Sequence, residues 1–170
     1  SDLGNLLKWI LKKEILREAF FYRMRNIFRN SVVSSVNTVF EDNNNYRIFM
    51  LGGDDLFFIC DAKKAIDFII KYSEEIKNNS EQSINEKPFT IGAGLVIAHP
   101  KFPIFTLHHI AEELAGSAKQ KLKLEKPDNP YSVIDWIVTT ESNIGDIGDY
   151  KERHSIVEYK PLNERLILSY

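Results

Sequence analysis

The sequence predicts an α+β domain in which helices cover one face of an antiparallel sheet. Segments with helical spacing and segments with strand character alternate along the chain, in the order helix, hairpin, helix, strand, helix, strand. The chain has 170 residues, of which 44% are hydrophobic and 27% charged, and this suits a single folded domain. No internal repeat indicates a solenoid. We therefore expect one hydrophobic core.

The first half of the chain predicts a long helical region followed by a β-hairpin. Apolar residues recur at three- and four-residue spacing over residues 3–40, with a break between two helices at residues 12–14. Two apolar strands, residues 46–51 and 56–60, then flank a Gly-Gly-Asp-Asp turn. The second strand is almost continuously apolar, which indicates burial on both of its faces.

The second half alternates helices and strands. Asp61 is placed to cap the first of these helices, and prolines at positions 100 and 103 mark the turn before the next. The predicted segments are a helix at 62–77, a polar loop at 78–87, a strand at 89–99, a helix at 104–124 and a strand at 131–139.

A strand before Ser1 would complete a split βαββαβ arrangement, which polymerase palms and nucleotidyl cyclases share. We accordingly predict a ferredoxin-like palm domain over residues 1–140, with its first strand missing or upstream. Residues 141–149 are rich in Gly, Asp and Ser. We expect residues 141–170 to form a linker and the start of a following element.

Composition excludes several classes of protein. The 22 Lys and Arg residues against 24 Asp and Glu give a formal charge of −2, so no global basic field favours nucleic acid or a membrane surface. Cys60 is the only cysteine, which excludes an internal disulfide framework and a cysteine zinc site. The longest apolar run, residues 91–98, is too short to span a bilayer. These features predict a cytoplasmic protein with no membrane contact.

The chemistry-bearing motif is the hairpin turn Gly52-Gly53-Asp54-Asp55. The glycines allow a tight turn and close approach of a ligand, and the two carboxylates offer the hard oxygen ligands that Mg²⁺ prefers. An Mg²⁺ ion held there would orient a triphosphate. The structural alternative is a type I′ hairpin whose acids are simply solvated.

A second motif, Asp2-Leu3-Gly4-Asn5, opens the chain where the first strand of a palm would meet its first helix. Backbone N–H groups at a helix start can hold phosphate, and an acid there can complete a two-metal site with the hairpin acids. The structural alternative is an Asp helix cap.

At these residues the sequence resembles the GGDD palm, or cyclase-polymerase, domain of the large subunit of type III CRISPR effector complexes. Residues 2–6 are similar to the family's D-x-D-N-L block, residues 51–57 match its GGDD hairpin, and residues 91–104 are similar to its strand-turn-helix block. The resemblance covers roughly residues 2–139.

The resemblance implies metal-dependent nucleotidyl transfer on ATP, which yields cyclic oligoadenylate second messengers in antiviral defence. The catalytic residues would be Asp54 and Asp55, and Mg²⁺ or Mn²⁺ would be held by Asp2, Asp54 and Asp55. The implied nucleotide-binding residues are Leu3, Gly4, Asn5, Gly52, Gly53, Lys119 and Lys123.

The family's chemistry also implies partners. Two palms meet to place two nucleotides, so this chain would use a second palm in trans or form a homodimer. CRISPR effector subunits and guide or target RNA are further implied partners. One departure concerns the first block, where Gly4 stands in place of the family's second acid.

Two other functions remain open at this point. One is a catalytically inactive palm that binds nucleotide as a scaffold. The other is a diguanylate cyclase, which has a related GGDEF hairpin. It is disfavoured because Asp55-Leu56 replaces Glu-Phe, and because Ile10 and Ala19 stand where guanine-recognising polar residues are expected.

Overall fold

The computed structural model describes residues 2–41, 45–84, 88–125, 131–139, 149 and 160–161, and for residues 2–10, 82–84, 125 and 160–161 it describes the backbone alone. The predicted α+β class is confirmed. Three helices and five strands follow in the order α1 (Asp2–Phe40), β1 (Tyr46–Gly52), β2 (Asp55–Cys60), α2 (Ala62–Ile84), β3 (Gly92–Ala98), α3 (Ile104–Glu125), β4 (Val133–Thr139) and β5 (Lys160–Pro161).

The described strands form two small sheets. β1 and β2 form the predicted antiparallel hairpin, and β3, β4 and β5 form a second sheet in that order. β5 runs antiparallel to β4, whereas β3 and β4 are parallel. An antiparallel sheet was expected. β3 and β4 are instead parallel because α3, which connects them, carries the chain back so that β4 starts beside the start of β3.

Helices contact β2 of the hairpin from both sides, whereas the side chains of β1 after Tyr46 are exposed. The Phe58 ring stacks on Phe68 of α2 with 4.0 Å between ring centroids. Its neighbour Phe57 meets His108 of α3 edge to face, at 4.5 Å. Successive strand residues point to opposite faces, so α2 and α3 lie on opposite sides of β2. As predicted, α1 and α2 lie on one face of the hairpin, and α3 contacts the other face through His108.

The long N-terminal helix is continuous. The predicted break at residues 12–14 is wrong, since α1 runs without interruption from Asp2 to Phe40. Lys, Lys and Glu at these positions are good helix formers and offer the backbone no competing partner. The helix ends at Phe40, and the next residue, Glu41, adopts a left-handed conformation with φ of 48°.

The main core joins α1 and α2 beneath the hairpin. Apolar side chains spaced by four residues on each helix interlock there, which confirms the predicted apolar stripe of the first helix. Burial of each large side chain contributes roughly 1.5–3 kcal/mol. The buried members are Phe28, Val32, Val36, Phe40, Phe68, Tyr72 and Ile76.

The second helix is longer than predicted. The polar loop expected from residue 78 is wrong up to Ile84, because α2 continues to that residue. The amide of Asn79 donates to the Ser31 hydroxyl on α1 at 3.0 Å, and the Ser80 hydroxyl accepts from the Phe89 N–H at 2.9 Å. These tertiary bonds keep polar residues in the helix. Residues 85–87 lie outside the described chain.

A second, smaller core lies between α3 and the parallel strands. Ile110 and Leu114 of α3 pack with Ile137 of β4 in a buried cluster.

Among the described residues, no helix is long and apolar enough to cross a membrane.

Cys60, at the end of β2, packs against the main core between α1 and α2 and provides a test of that packing. Burial, followed by the negative charge of Asp61, raises the pKa of the Cys60 thiol to about 11. We therefore expect iodoacetamide at pH 8 to label the native protein about a hundredfold more slowly than the urea-unfolded chain, because the reactive thiolate is that much scarcer. As the only cysteine, Cys60 accounts for all labelling. Equal rates in the two states would contradict the described packing.

Candidate active site at the hairpin tip

The Gly-Gly-Asp-Asp motif forms a two-residue β-turn. Gly52 and Asp55 are the last paired residues of β1 and β2, which leaves Gly53 and Asp54 as the loop. Gly53 has φ of 62°, and no positive φ is recorded for Asp54. A positive φ at the first loop residue alone is the signature of a type II′ turn, so the type I′ turn named as the structural alternative is not the one formed.

We expect Gly53→Ala to destabilise the hairpin by about 1–3 kcal/mol, because a side chain at this φ is strained. Gly52→Ala is the matched control, since Gly52 has no positive φ and a methyl group there would meet no atom within 4 Å. Urea unfolding of both variants measures the difference. Equal loss of stability in the two would contradict the turn geometry.

The tip is open to a ligand. Asp54 and Asp55 are exposed, and methyl groups added at Gly52 and Gly53 would meet nothing within 4 Å. The base of the hairpin is fixed by the Phe58–Phe68 stack, so the tip projects from a packed support. The pKa of the buried Tyr72 is raised well above its usual range, mainly by burial and secondarily by the charge of Asp54.

A groove of about 710 Å³ runs between α1 and the hairpin tip. Gly53 forms one side, and the α1 side includes two guanidinium groups and two aromatic rings. The Arg25 Nε donates to the Phe21 carbonyl at 3.5 Å. Phosphate can bind the arginines bidentately, and a planar base can pack on the aromatic walls. The α1 residues that line this groove are Ile15, Arg17, Glu18, Ala19, Phe21, Tyr22 and Arg25.

The donor chemistry of the tip fits a divalent cation. Two adjacent carboxylates with open space around their turn are hard oxygen ligands that a metal can reach. Within the described residues no group of three His, Cys, Asp or Glu side chains is arranged to hold a metal. The side chain of Asp2, the predicted third ligand, lies outside the described part of the chain.

The predicted phosphate-binding backbone and the groove occupy different parts of α1. Residues 3–5 lie in the first turns of this helix, and the groove begins at Ile15. Ten residues separate Asn5 from Ile15, which corresponds to about 15 Å along the helix axis. The structure therefore brings α1 to the tip through its middle section, not through residues 3–5.

The two predicted lysines lie on α3. Lys119 and Lys123 are both exposed, and a Cβ added at Gly92 of β3 would come within 2.6 Å of the Lys119 Cγ. The aliphatic part of Lys119 thus covers β3 while its ammonium group faces solvent. Both lysines therefore lie on α3, the helix that packs against the sheet of β3, β4 and β5.

Sequence reasoning missed Arg17, Arg25, Phe21 and Tyr22. The sequence does contain an indication of them, because cationic and aromatic residues alternate there at helical spacing. Without a fold that places α1 beside Gly53, this pattern is equally typical of a solvated helix.

The comparisons with known proteins concern this same region. A family model described as Cas10/Cmr2, second palm domain, matches residues 2–126 of the chain, which include the hairpin and the β3–α3 unit. This match confirms the resemblance to the palm domain of type III CRISPR large subunits and the predicted ferredoxin-like palm fold. A search of curated proteins finds no match. The chain therefore belongs to the Cas10/Cmr2 second palm domain family, whose palms are related to nucleotide cyclases.

Proposed function

We propose that the hairpin tip carries out metal-dependent nucleotidyl transfer on ATP, giving cyclic oligoadenylate products. The observation that carries this proposal is the pair of exposed carboxylates, Asp54 and Asp55, on an open turn that borders the α1 groove. In the reaction, a ribose 3′-oxygen bonds to the α-phosphorus of a second ATP, the bond to the β-phosphate oxygen breaks, and pyrophosphate leaves. The hydroxyl proton passes to solvent.

Each part of the site has a role in the proposal. Asp54 and Asp55 would hold Mg²⁺ or Mn²⁺, and Gly52 and Gly53 would let the phosphates approach the backbone. When bound, the cations supply positive charge to the transferring phosphoryl group. In a CRISPR effector complex, a second palm would bring the other nucleotide.

The groove supports ATP as the substrate. Arg17 and Arg25 can neutralise the phosphates, and Phe21 and Tyr22 can flank the base. Ala19 offers a base no side-chain donor or acceptor, whereas Glu18 in the same groove could accept from a guanine edge, so the choice of ATP over GTP rests on the family resemblance.

The test is mass spectrometry of products after the full chain is incubated with ATP or GTP and either Mg²⁺ or Mn²⁺. We expect an adenylate product with release of pyrophosphate, at a rate that rises more than linearly with protein concentration if two chains pair. The Asp54→Asn/Asp55→Asn variant controls for a contaminating enzyme. A folded, dimeric chain that yields no product would contradict the proposal.

A nucleotide-binding scaffold is the second candidate. It is favoured by the lack of a third metal-binding side chain among the described residues around Asp54 and Asp55. Saturable ATP binding without pyrophosphate release in the same assay would identify it.

A further inference from the structure

The first half of α1 is a helix without a packed partner among the described residues. Within α1, side chains are described from residue 11 onward, and none of them is buried before Ile27. Helices of globular proteins gain most of their stability from packing, so an exposed stretch of this length is a surface suited to a partner.

This exposed stretch has a charge opposite to that of the chain. Residues 11–26 contain five basic and two acidic side chains, whereas the whole chain has a formal charge of −2. The acids, Glu14 and Glu18, are four residues apart and so share one side of the helix, and Glu18 lines the groove at the hairpin tip.

The cations dominate another side, which we call the α1 cationic face. Lys12, Leu16, Phe20 and Arg23 follow one another at helical spacing, and Lys13 and Arg17 lie beside them, with Arg17 at the border with the groove. All six are exposed, with Phe20 39% and Leu16 61% accessible. From Lys12 to Arg23 the face extends about 16 Å along the helix.

We propose that the α1 cationic face binds single-stranded nucleic acid. Lysine and arginine side chains bind phosphates, and an exposed aromatic ring between them provides a platform on which a base can stack. A membrane is a poorer fit, because the face presents only two large apolar side chains between its charges. Nucleic-acid binding at this face requires neither Asp54 and Asp55 nor catalytic turnover, so this proposal goes beyond the proposed function.

The test is fluorescence anisotropy of a labelled 20-nucleotide oligouridine with the full chain over a range of salt concentrations. Four phosphate contacts predict a slope of about −2.8 in log K against log salt. Lys12→Glu/Arg23→Glu is expected to weaken binding at least tenfold and to reduce the slope by about 1.4. An oligothymidine probe of equal length distinguishes RNA from single-stranded DNA.

Two matched controls make the assignment specific. Lys63→Glu/Lys64→Glu makes the same charge change at exposed positions at the start of α2 and should alter affinity less than twofold. Phe20→Ala should weaken binding about tenfold with an unchanged salt slope, whereas Phe105→Ala, at an 87% exposed ring on α3, should have no effect.

The result is independent of catalysis, since Asp54→Asn/Asp55→Asn should bind the probe as the parent chain does. Equal weakening by the two charge-reversal variants would overturn the proposal. Binding to phosphatidylserine vesicles with no binding to either oligonucleotide would also overturn it, as would failure to bind any of these probes.

Discussion

Asp54→Asn and Asp55→Asn should each reduce adenylate product formation by about a thousandfold or more. Asparagine keeps the size of the side chain but removes the negative charge that would hold the divalent cation, and loss of several kcal/mol of transition-state stabilisation corresponds to that factor. Because both residues are exposed, the free energy of unfolding should change by no more than about 0.5 kcal/mol. Product quantified by mass spectrometry and urea unfolding of the same preparations measure the two effects.

Asp61→Asn is the control for this prediction. Asp61 is also exposed, and its carboxylate accepts the Lys63 N–H at 2.9 Å as the cap of α2. Asparagine caps helices as well as aspartate does, so stability and product should both persist. Product that survives in Asp54→Asn and Asp55→Asn would exclude the hairpin acids as the site.

The hairpin was predictable because its signals are local. Two glycines followed by two acids between apolar runs define the turn, and the predicted strands agree with β1 and β2 to within a residue. The turn type was less accessible. It depends on which loop residue takes positive φ, and both Gly52 and Gly53 could do so until strand pairing placed Gly52 in β1.

The extent of α2 and the groove depended on tertiary contacts. Asn79 and Ser80 favour loops by propensity, but Asn79 bonds to Ser31, 48 residues earlier, and Ser80 accepts from Phe89, beyond the end of the helix. Likewise, Arg17 and Arg25 acquire a role only because α1 passes beside Gly53. Sequence patterns predict neither the hydrogen-bond partners of Asn79 and Ser80 nor the position of α1 beside Gly53.

Gly94→Ala should destabilise the fold by about 3 kcal/mol, lowering the melting temperature by about 6–12 °C. A methyl group on Gly94 of β3 would overlap the Ala111 carbonyl oxygen of α3 and lie 2.7 Å from the Ala115 nitrogen. These are backbone atoms, so relief would require the whole helix to move away from the sheet. Gly92→Ala should cost less, because its closest contact, at 2.6 Å, is the flexible side chain of Lys119.

Gly116→Ala, on α3 itself, separates this packing effect from the general effect of adding a methyl group. A methyl group at Gly116 meets no atom within 4 Å, and alanine is favoured over glycine in a helix by up to about 1 kcal/mol. This variant should therefore raise the melting temperature by about 2–4 °C. Opposite shifts in the two variants would show that contact between β3 and α3 requires glycine at 94. A Gly94→Ala protein as stable as the parent would mean that helix and strand do not approach this closely.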